Sequence, residues 1–511
     1  MDKDLVIGID SSTSATKAIA WDRSGHAVAE GRKSIALSNP QPGWFEQDSR
    51  EWWSSTATAL RELTGKVDPR RVASLAISNQ RETMGTFTET GEPLRPGTVW
   101  LDERARAEVT SFGRTFGAER VHAISGKPLD VLPCLYRVIW LAEHEPGVFA
   151  RTQRFSDVHG YLTFCLTGRW TTSTASADPM ALLDMRSHTW SPEILAAIGL
   201  DSARLPALVR PGTQTGEVTT EAAVATGLIA GTPVIAGGGD GQCAGTGAGI
   251  TSPGKSYVNL GTALVSGSYG KAYAYDLAYR TETAVAEEGY IYEICARTGT
   301  FLVDWMVGVM LSGAPGAADR AALLARLEKE AAESPIGAGG LILLPHWLGC
   351  MNPHWDTYAR GVIAGISGST RPGHLFRAVL EGLALETAEG TNRIVASSDS
   401  PIDLMVAIGG GSESDLWLQI MADAAERPVQ RSITREASSL GAAMAAAKGA
   451  GWFGTIAAAS EAMASRPARL FEPDTRRAAR YRELRAIHAD LWPLISQWNA
   501  RLAAFTEQSG A

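Results

Sequence analysis

Asp240 ends a hydrophobic run and has glycines on both sides, in the segment Val234-Ile-Ala-Gly-Gly-Gly-Asp240-Gly-Gln-Cys-Ala-Gly-Thr-Gly. A lone carboxylate at the end of a strand suits a general base, which needs reach to the proton that it abstracts. Three consecutive glycines are expected to leave one wall of a site bare, so that a substrate hydroxyl and a polyphosphate can approach the backbone. An ordinary glycine-rich turn is the alternative interpretation.

Two hydroxyl-rich bends occur in similar settings, far apart in the chain. The strand-like run Leu5–Ile9 ends in Asp10-Ser-Ser-Thr-Ser and resumes at Lys17, which predicts a hairpin. The segment Ser256-Tyr-Val-Asn-Leu-Gly-Thr, followed by another apolar run, repeats this pattern. The repetition predicts an internal duplication whose two bends face one polyanion with backbone N–H groups and hydroxyls. Chance similarity between two hairpins is the alternative.

A third bend, Gly409-Gly-Gly-Ser412, follows the strand-like run Leu404–Ile408 and precedes Ser414, a candidate N-cap. Strand, glycine turn and helix start together predict an anion or nucleotide site. Elsewhere apolar runs such as Val72–Ser78 alternate with helical periodicity, which is clear over Glu119–Ile124, Leu135–Glu143 and His374–Glu386. The predicted fold class is therefore α/β.

Length and composition indicate more than one domain. A chain of 511 residues predicts two or more, and Thr251-Ser-Pro-Gly254 breaks any regular element. We therefore place a boundary near residue 250 and predict domains over 1–250, which would carry the base and the sugar site, and 251–511, which would bind the nucleotide. The Ala/Gly-rich Gly441–Gly454 segment predicts close helix packing.

Charge and cysteine content narrow the functional classes. The net charge is -8 and no Lys/Arg block occurs, which argues against nucleic acid as a partner. Five cysteines without zinc-ligand or disulfide spacing favour a reducing, cytoplasmic setting. We see no apolar run long enough for a membrane span and no signal peptide after Met1, so no membrane association is expected.

The chain resembles the FGGY carbohydrate kinases, above all those acting on xylulose and glycerol. The resemblance runs from Leu5 to about Phe453 and is sharpest over Gly361-Val-Ile-Ala-Gly-Ile and His374-Leu-Phe-Arg-Ala-Val-Leu-Glu. Another motif of the family, its first signature, begins here at Pro133 and matches less closely, with Arg137 where Lys is usual. The resemblance implies an α/β fold of two actin/hexokinase-like (ribonuclease H-like) ATPase domains around a central cleft, with ATP and Mg²⁺ as cofactors.

The resemblance also implies a role for particular residues. Asp240 matches the catalytic base, and Asp10 matches the carboxylate that holds Mg²⁺ through water, with Asp240 beside it as a second metal-site carboxylate. The expected sugar-binding residues are Gln80, Arg81, Glu82, Trp100 and Asp240. The expected nucleotide-binding residues are Ser12, Thr13, Ser14, Lys17, Gly261, Thr262, Gly410, Gly411 and Ser414. Without the resemblance, Arg81 and Glu82 could be a solvated surface pair and Trp100 a core residue.

The implied activity is ATP-dependent phosphorylation of a small sugar at a terminal hydroxyl. Leu132 and Val265 fall where glycerol kinases carry Tyr and Phe, which predicts a wider pocket and favours D-xylulose. Ribulose, erythritol, gluconate and glycerol remain alternative substrates. An actin- or chaperone-like ATPase is a remoter alternative, and a dinucleotide-binding dehydrogenase lacks its glycine fingerprint here. We expect a homodimer.

Overall fold

The computed structural model of the protein describes residues 3–286, 288–310, 317–398, 400–464 and 467–508. The strands of the first half are β1 (Leu5–Ser11), β2 (Ala15–Trp21), β3 (Ala27–Ser34), β4 (Glu46–Gln47), β5 (Val72–Asn79), β6 (Met84–Phe87), β7 (Gly97–Thr98), β8 (Arg154–Asp157), β9 (Thr171–Ser173), β10 (Leu183–Asp184), β11 (Thr189–Trp190), β12 (Ala207–Val209), β13 (Gln214–Glu217) and β14 (Pro233–Gly239). The strands of the second half are β15 (Gly254–Leu260), β16 (Leu264–Gly270), β17 (Arg280–Thr283), β18 (Tyr290–Ala296), β19 (Ile342–Leu344), β20 (Val362–Ala364), β21 (Ile402–Ile408), β22 (Val429–Ser432) and β23 (Pro467–Phe471).

The helices surround these strands. Those of the first half are α1 (Ser49–Thr64), α2 (Arg106–Phe112), α3 (Ala118–Ser125), α4 (Cys134–His144), α5 (Pro146–Arg151), α6 (Val158–Thr167), α7 (Thr174–Ala177), α8 (Pro192–Ala197), α9 (Thr220–Thr226) and α10 (Asp240–Gly247). Those of the second half are α11 (Thr300–Met310), α12 (Ala317–Glu333), α13 (Pro372–Ser397), α14 (Asp415–Ala425), α15 (Ala437–Gly449), α16 (Ile456–Met463) and α17 (Thr475–Gln508). None of the described helices combines the length and the apolar character that crossing a bilayer requires.

Two mixed sheets share one strand pattern. In the first sheet, β3, β2 and β1 run antiparallel to their neighbours, and β5 and β14 then continue parallel to β1. In the second sheet, β18, β16 and β15 are antiparallel, and β21 and β22 continue parallel to β15. The two predicted hairpins are therefore β1–β2 and β15–β16, each at the same place in its sheet, as the internal duplication requires.

Three local features can be compared directly with the sequence. The helix expected over His374–Glu386 is α13, which spans 26 residues because its buried face continues through Ala388 and Ile394. Trp100 lies in the loop that follows the two-residue strand β7. Ser414 caps α14 as predicted, since its side chain accepts a hydrogen bond from the Trp417 amide at 3.2 Å.

Helix α15 lies against the first sheet although it belongs to the second half of the sequence. Its Ser439 hydroxyl donates to the Gly8 carbonyl at 2.9 Å, and the Ser74 hydroxyl donates to the Ala446 carbonyl at 2.7 Å. The predicted close packing of the Ala/Gly-rich segment is confirmed at Gly441, where an added Cβ would lie 1.9 Å from the Cys243 carbonyl oxygen of α10. The chain thus returns to the first sheet after β22 and then adds β23 to the second sheet.

We predict that Gly441→Ala lowers the melting temperature by roughly 3 °C or more, because backbone atoms on two helices would have to separate. Gly308→Ala is the matched control, since Gly308 also lies within a helix, α11, but has no atom within 4 Å of an added Cβ. Its melting temperature should stay the same or rise, because Ala favours a helix over Gly. Equal melting temperatures for the two variants would contradict the packing argument.

Candidate active site

A cavity of about 210 Å³ lies where the two halves of the chain meet. It is open at the carboxyl ends of β1, β5, β14 and β15, where parallel strands of both sheets stop. Eight of the residues predicted from the sequence as site residues line it: Ser12, Thr13, Arg81, Glu82, Trp100, Asp240, Gly261 and Thr262. Leu132 and Val265 also line it, as does a set that sequence reasoning missed: Asn259, Ala263, Arg280, Cys295, Arg297 and Met351.

Asp240 begins α10 directly after β14, and 40% of its side chain is exposed to the cavity. The expectation of an isolated carboxylate is wrong, because the Arg81 Nε atom lies 3.1 Å from Asp240 Oδ1. The Asp240 carboxylate also accepts a hydrogen bond from the Gly241 amide at 2.8 Å. Burial raises the pKa of Asp240, and Arg81 offsets part of that rise. A carboxylate with a raised pKa is a stronger base than one in water.

The three glycines before Asp240 serve packing rather than substrate approach, which corrects the sequence interpretation. An added Cβ at Gly237 would lie 2.0 Å from the Ile77 carbonyl oxygen. One at Gly238 would lie 2.6 Å from a Val285 methyl, and one at Gly239 would meet the Arg81 side chain. All three glycines are buried. The absence of side chains therefore lets β5, the β17–β18 connection and Arg81 approach the strand that carries the base.

A buried ion-pair network spans the two halves beside Asp240. The Arg81 guanidinium lies 2.9 Å from the Glu293 carboxylate, and Arg280 lies 2.7 Å from the same carboxylate. Arg280 also pairs with Glu82, at 2.5 Å. Burial alone would raise the pKa of Glu293, but the two arginines lower this pKa to about 2. Glu293 is therefore charged at neutral pH and holds both arginines in place.

The network continues away from the cavity into the protein interior. Glu282 lies 3.2 Å from Arg280 and 3.3 Å from Lys127, and Lys127 lies 3.6 Å from Asp178. Burial, with a contribution from Glu282, raises the pKa of Asp178 well above its ordinary value. These side chains are almost fully buried. Burying charges is costly unless each is paired; here Arg280 and Lys127 lie beside Glu282, and the raised pKa of Asp178 favours its neutral form.

Arg280 and Glu293 left a signal in the sequence that pattern reading overlooked. Glu293 interrupts the apolar strand Tyr290-Ile-Tyr-Glu-Ile-Cys-Ala296, and Arg280 begins β17. A charged residue inside a buried strand needs a partner, so it points to an internal ion pair or a polar site. Glu82 carries a second structural signal, because its backbone has a φ of 46°, which is rare for a residue with a side chain.

Asp10 ends β1 and faces the same region as Asp240. Burial, with a further contribution from the Asp240 carboxylate, raises the pKa of Asp10 to about 7. The Ser78 hydroxyl donates to Asp10 Oδ1 at 3.2 Å. Two carboxylates that repel each other across a partly open site match the oxygen donors that Mg²⁺ takes when it keeps most of its water. The donor set therefore fits the expected metal.

The first hydroxyl-rich bend is hydrogen-bonded to Trp100, which lines the cavity. The Trp100 indole N–H donates to Thr13 Oγ1 at 2.9 Å, and Gln47 donates to the Thr13 carbonyl at 2.6 Å. Gln80 is buried outside the cavity lining and donates to Gln47 at 2.8 Å, which places it behind the bend rather than in contact with the cavity. Trp100 lines the cavity, so it is not simply a core residue. Arg81 and Glu82 are buried, so they are not a solvated surface pair.

The remaining predicted nucleotide residues lie around the cavity rather than in its wall. The Lys17 ammonium pairs with Glu436 at 2.6 Å, so a phosphate contact from Lys17 requires this pair to open. Ser14, on the first bend, is exposed. Gly410 and Gly411 belong to a short 3-10 turn before α14, and an added Cβ at Gly410 would meet no atom within 4 Å.

Comparison with known proteins identifies the family. The model of the FGGY family of carbohydrate kinases, N-terminal domain, matches residues 5–247, and the C-terminal domain model matches residues 243–450. The chain belongs to the FGGY family of carbohydrate kinases. It is therefore a sugar phosphotransferase, and the alternatives of an actin- or chaperone-like ATPase and of a dehydrogenase are set aside.

Relatives in this family differ in their named substrates. The chain is 29% identical over 505 residues to the xylulose kinase of Bacillus subtilis (strain 168), covering 98% of this chain and 99% of the relative. It is 31% identical over 478 residues to the glycerol kinase of Methylorubrum extorquens (strain PA1), covering 89% and 91%. The crystal structure of xylulose kinase from Rhodospirillum rubrum matches with a TM-score of 0.87 and 28% identity, covering 97% of this chain and 100% of that one. The two-domain carbohydrate kinase fold is thus confirmed.

We predict that Glu293→Gln lowers kcat/KM for the sugar at least tenfold, because Arg81 loses the partner that orients it toward Asp240 and Arg280 loses its shared anchor. Removing one member of a buried pair also costs about 3–5 kcal/mol of stability. Glu381→Gln is the matched control, since it removes the carboxylate of the buried Arg377–Glu381 pair on α13. Both variants should melt earlier, and steady-state kinetics below the melting point should separate them. Equal kcat/KM values would show that the Glu293 effect is only structural.

Proposed function

We propose that this protein transfers the γ-phosphoryl group of ATP to the terminal hydroxyl of a neutral ketose, with D-xylulose as the first choice. The observation that carries the proposal is that Asp240 lies in a cavity whose arginines are each paired with a carboxylate. The xylulose kinase relatives support the same substrate class. Ribulose, erythritol, gluconate and glycerol are the competing substrates.

The chemistry assigned to Asp240 is general-base catalysis. Its carboxylate takes the proton of the terminal hydroxyl while the oxygen forms a bond to the γ-phosphorus and the bond from that phosphorus to the bridging oxygen of ADP breaks. The Arg81 ion pair directs the carboxylate toward the cavity. Mg²⁺, when bound beside Asp10 and Asp240, supplies charge neutralisation on the phosphate oxygens. Phosphoryl transfer asks little else of the protein beyond in-line positioning.

Charge favours a neutral substrate over a sugar acid. Arg81 and Arg280 share the Glu293 carboxylate, and Arg297 lies 2.8 Å from Asp130. These arginines line the cavity, so their neutralisation leaves no unpaired guanidinium for the carboxylate of gluconate. A buried carboxylate without a cationic partner is strongly disfavoured. Sugar hydroxyls can instead accept from the arginines and donate to Asp240 and Glu82.

The shape of the cavity favours a substrate longer than glycerol. Leu132 and Val265 both line it, at the positions where the resemblance expects Tyr and Phe in glycerol kinases. Their smaller side chains leave room beside Asp240. A three-carbon polyol would leave that space unfilled and lose about 1–3 kcal/mol for each missing good contact. A five-carbon ketose would occupy it.

The ATP site is proposed to lie between the two hairpin bends. Ser12, Thr13, Gly261 and Thr262 line the cavity from opposite halves of the chain, which supports a polyphosphate held from both sides. Gly410, Gly411 and Ser414 are proposed to hold the adenosine, and the open space beside Gly410 supports this assignment. Lys17 and Ser14 are proposed to approach the phosphates from the first bend.

The setting of the protein completes the proposal. The five cysteines are unpaired, which supports a reducing, cytoplasmic environment. We retain the homodimer and the division into residues 1–250 and 251–511 as proposals, with α15 packing onto the first sheet from the second half. Size-exclusion chromatography with light scattering tests the oligomeric state.

We predict that Asp240→Asn lowers sugar phosphorylation by roughly 10²–10⁴ fold while ATP binding persists, since a positioned base is worth about that factor. Turnover is followed as ADP release at saturating sugar, and nucleotide binding is followed by the thermal shift on adding MgATP. Near wild-type turnover would show that another group accepts the proton. Loss of the nucleotide-induced shift would show that Asp240 acts mainly through metal binding.

We predict that kcat/KM is highest for D-xylulose and at least about tenfold lower for glycerol and for gluconate. The double variant Leu132→Tyr/Val265→Phe should narrow this gap by lowering the D-xylulose value and raising the glycerol value. Val99→Ile is a control at a buried position outside the cavity lining. A kcat/KM for gluconate above that for D-xylulose would contradict the charge argument. A kcat/KM for glycerol above that for D-xylulose would contradict the size argument.

A further inference from the structure

A row of large apolar side chains lies exposed along α17. Leu494 is 78% exposed, Phe505 67%, Ile487 57% and Trp498 55%. Because an α-helix turns by about 100° per residue, these four side chains lie within about 40° of one another around the helix axis. Scattered exposed apolar residues are ordinary, but a continuous row on one helix face indicates an interaction surface. We call these four residues the α17 stripe.

Another side of α17 fixes the stripe on the body of the protein. His488, Trp492 and Asn499 are buried. The Asn499 side chain donates to the Arg360 carbonyl at 3.3 Å, and His488 Nε2 lies 3.0 Å from the Leu343 carbonyl oxygen. The stripe is therefore the exposed side of a helix that is packed elsewhere along the same residues.

A cavity of about 410 Å³ opens beside the first part of the stripe, and we call it the α17 groove. Its apolar lining comes from α17 and from the segment around β19: Ile336, Leu341, Ile342, Leu484 and Ile487. Ile487 thus belongs to both the stripe and the groove. Arg480 and Glu483 also line the groove and form an ion pair with each other. An apolar side chain would cover this lining without separating a charge from its partner.

The positions of the stripe residues are symmetric about Ser496. Ile487 and Phe505 each lie nine residues from Ser496, and Leu494 and Trp498 each lie two residues from it. Two antiparallel copies of α17 related by a twofold axis at Ser496 therefore place Ile487 opposite Phe505 and Leu494 opposite Trp498 of the second copy. The successive spacings of seven, four and seven residues are those by which paired helices interdigitate.

The same axis brings a large aromatic side chain to the groove. Phe505 of the second copy lies opposite Ile487, which lines the groove. A twofold interface is self-complementary, so one chain must carry both a projecting group and the hole that receives it. Phe505 supplies the projecting group and the α17 groove supplies the hole, at positions that the axis relates.

Charge selects the antiparallel orientation. Asp490 and Arg501 are exposed beside the stripe, and neither is ion-paired with another described residue. They lie six and five residues from Ser496 on opposite sides, so each meets the other across the axis. In a parallel pair, Asp490 would face Asp490 and Arg501 would face Arg501, which is repulsive. A second copy in antiparallel orientation is therefore the occupant that this surface favours.

We propose that two copies of this protein pair through α17, antiparallel about a twofold axis at Ser496, with Phe505 of each copy in the α17 groove of the other. The inference rests on the homodimer proposed above and assigns its surface. The contact runs along about 27 Å of helix. Among the described residues, none of α17 lines the catalytic cavity, so each copy keeps its own active site.

Sedimentation equilibrium over about 0.5–50 µM protein tests the surface, and we expect a dimer for the wild-type chain. Leu494→Lys should raise the dissociation constant at least about tenfold, because it places ammonium groups in an apolar contact. Phe505→Ala should raise it at least about fivefold, because the groove loses its occupant. Val224→Lys is the matched control, since Val224 lies on α9 and is 73% exposed, and it should dimerise as wild type does.

A monomeric wild-type chain would overturn both the homodimer and this surface. A Leu494→Lys variant with the wild-type dissociation constant would overturn the surface and leave the homodimer standing. The circular dichroism spectrum of each variant should match that of wild type, which excludes unfolding as the cause of any monomer. None of these outcomes depends on which sugar is the substrate.

Charge reversal tests the orientation of the two helices. Asp490→Arg and Arg501→Asp should each raise the dissociation constant about threefold or more, because each places like charges across the axis. The double variant Asp490→Arg/Arg501→Asp should return the dissociation constant to within about twofold of wild type, since it restores opposite charges. A double variant as weak as the two single effects combined would overturn the antiparallel register.

Discussion

The two arginines that share the Glu293 carboxylate join the halves of this protein beside Asp240, the residue that we propose as the base. Arg81 follows β5 in the first half, and Glu293 lies on β18 in the second, 212 residues away along the chain. The Arg81 Nε atom holds Asp240 while its terminal nitrogen holds Glu293. The Asp240 carboxylate, whose pKa is raised, is thereby kept in position by Arg81, and Glu293 balances the charge of Arg81. A neutral sugar, the substrate class that we propose, would leave these ion pairs intact.

Close packing of backbone against backbone supports this arrangement. The glycines of β14 admit the Ile77 carbonyl, the Val285 methyl and the Arg81 side chain. Gly441 admits the carbonyl of Cys243 on α10, so that α15 lies directly over the helix that begins at Asp240. Asp240 is therefore held in place by β14, α10 and α15, which are in contact with one another.

The duplicated strand order explains why two hairpin bends meet at one cavity, where we propose the polyphosphate site. Each sheet places a tight antiparallel bend beside the ends of its parallel strands, at Asp10–Ser14 in one and at Leu260–Ala263 in the other. Both bends line the same cavity. The Trp100 indole N–H donates to Thr13 and so links the first bend to the cavity wall that we propose to contact the sugar. Carbohydrate kinases of this family share that two-domain frame, and the side chains within it differ.

The amino-acid sequence by itself determined the α/β class, the two hairpins, the family and most residues of the cavity, because these depend on local periodicity, turn residues and short motifs. It led to a wrong view of Asp240 as isolated and of its glycines as an open wall. The sequence motifs did not single out Arg280 or Glu293 as site residues. They placed Gln80 in the cavity, although Gln80 lies behind the first bend. They also gave no sign that Lys17 pairs with Glu436. Ion pairs and close contacts between segments hundreds of residues apart depend on how the sheets and α15 pack, and only the tertiary structure decides which side chains meet.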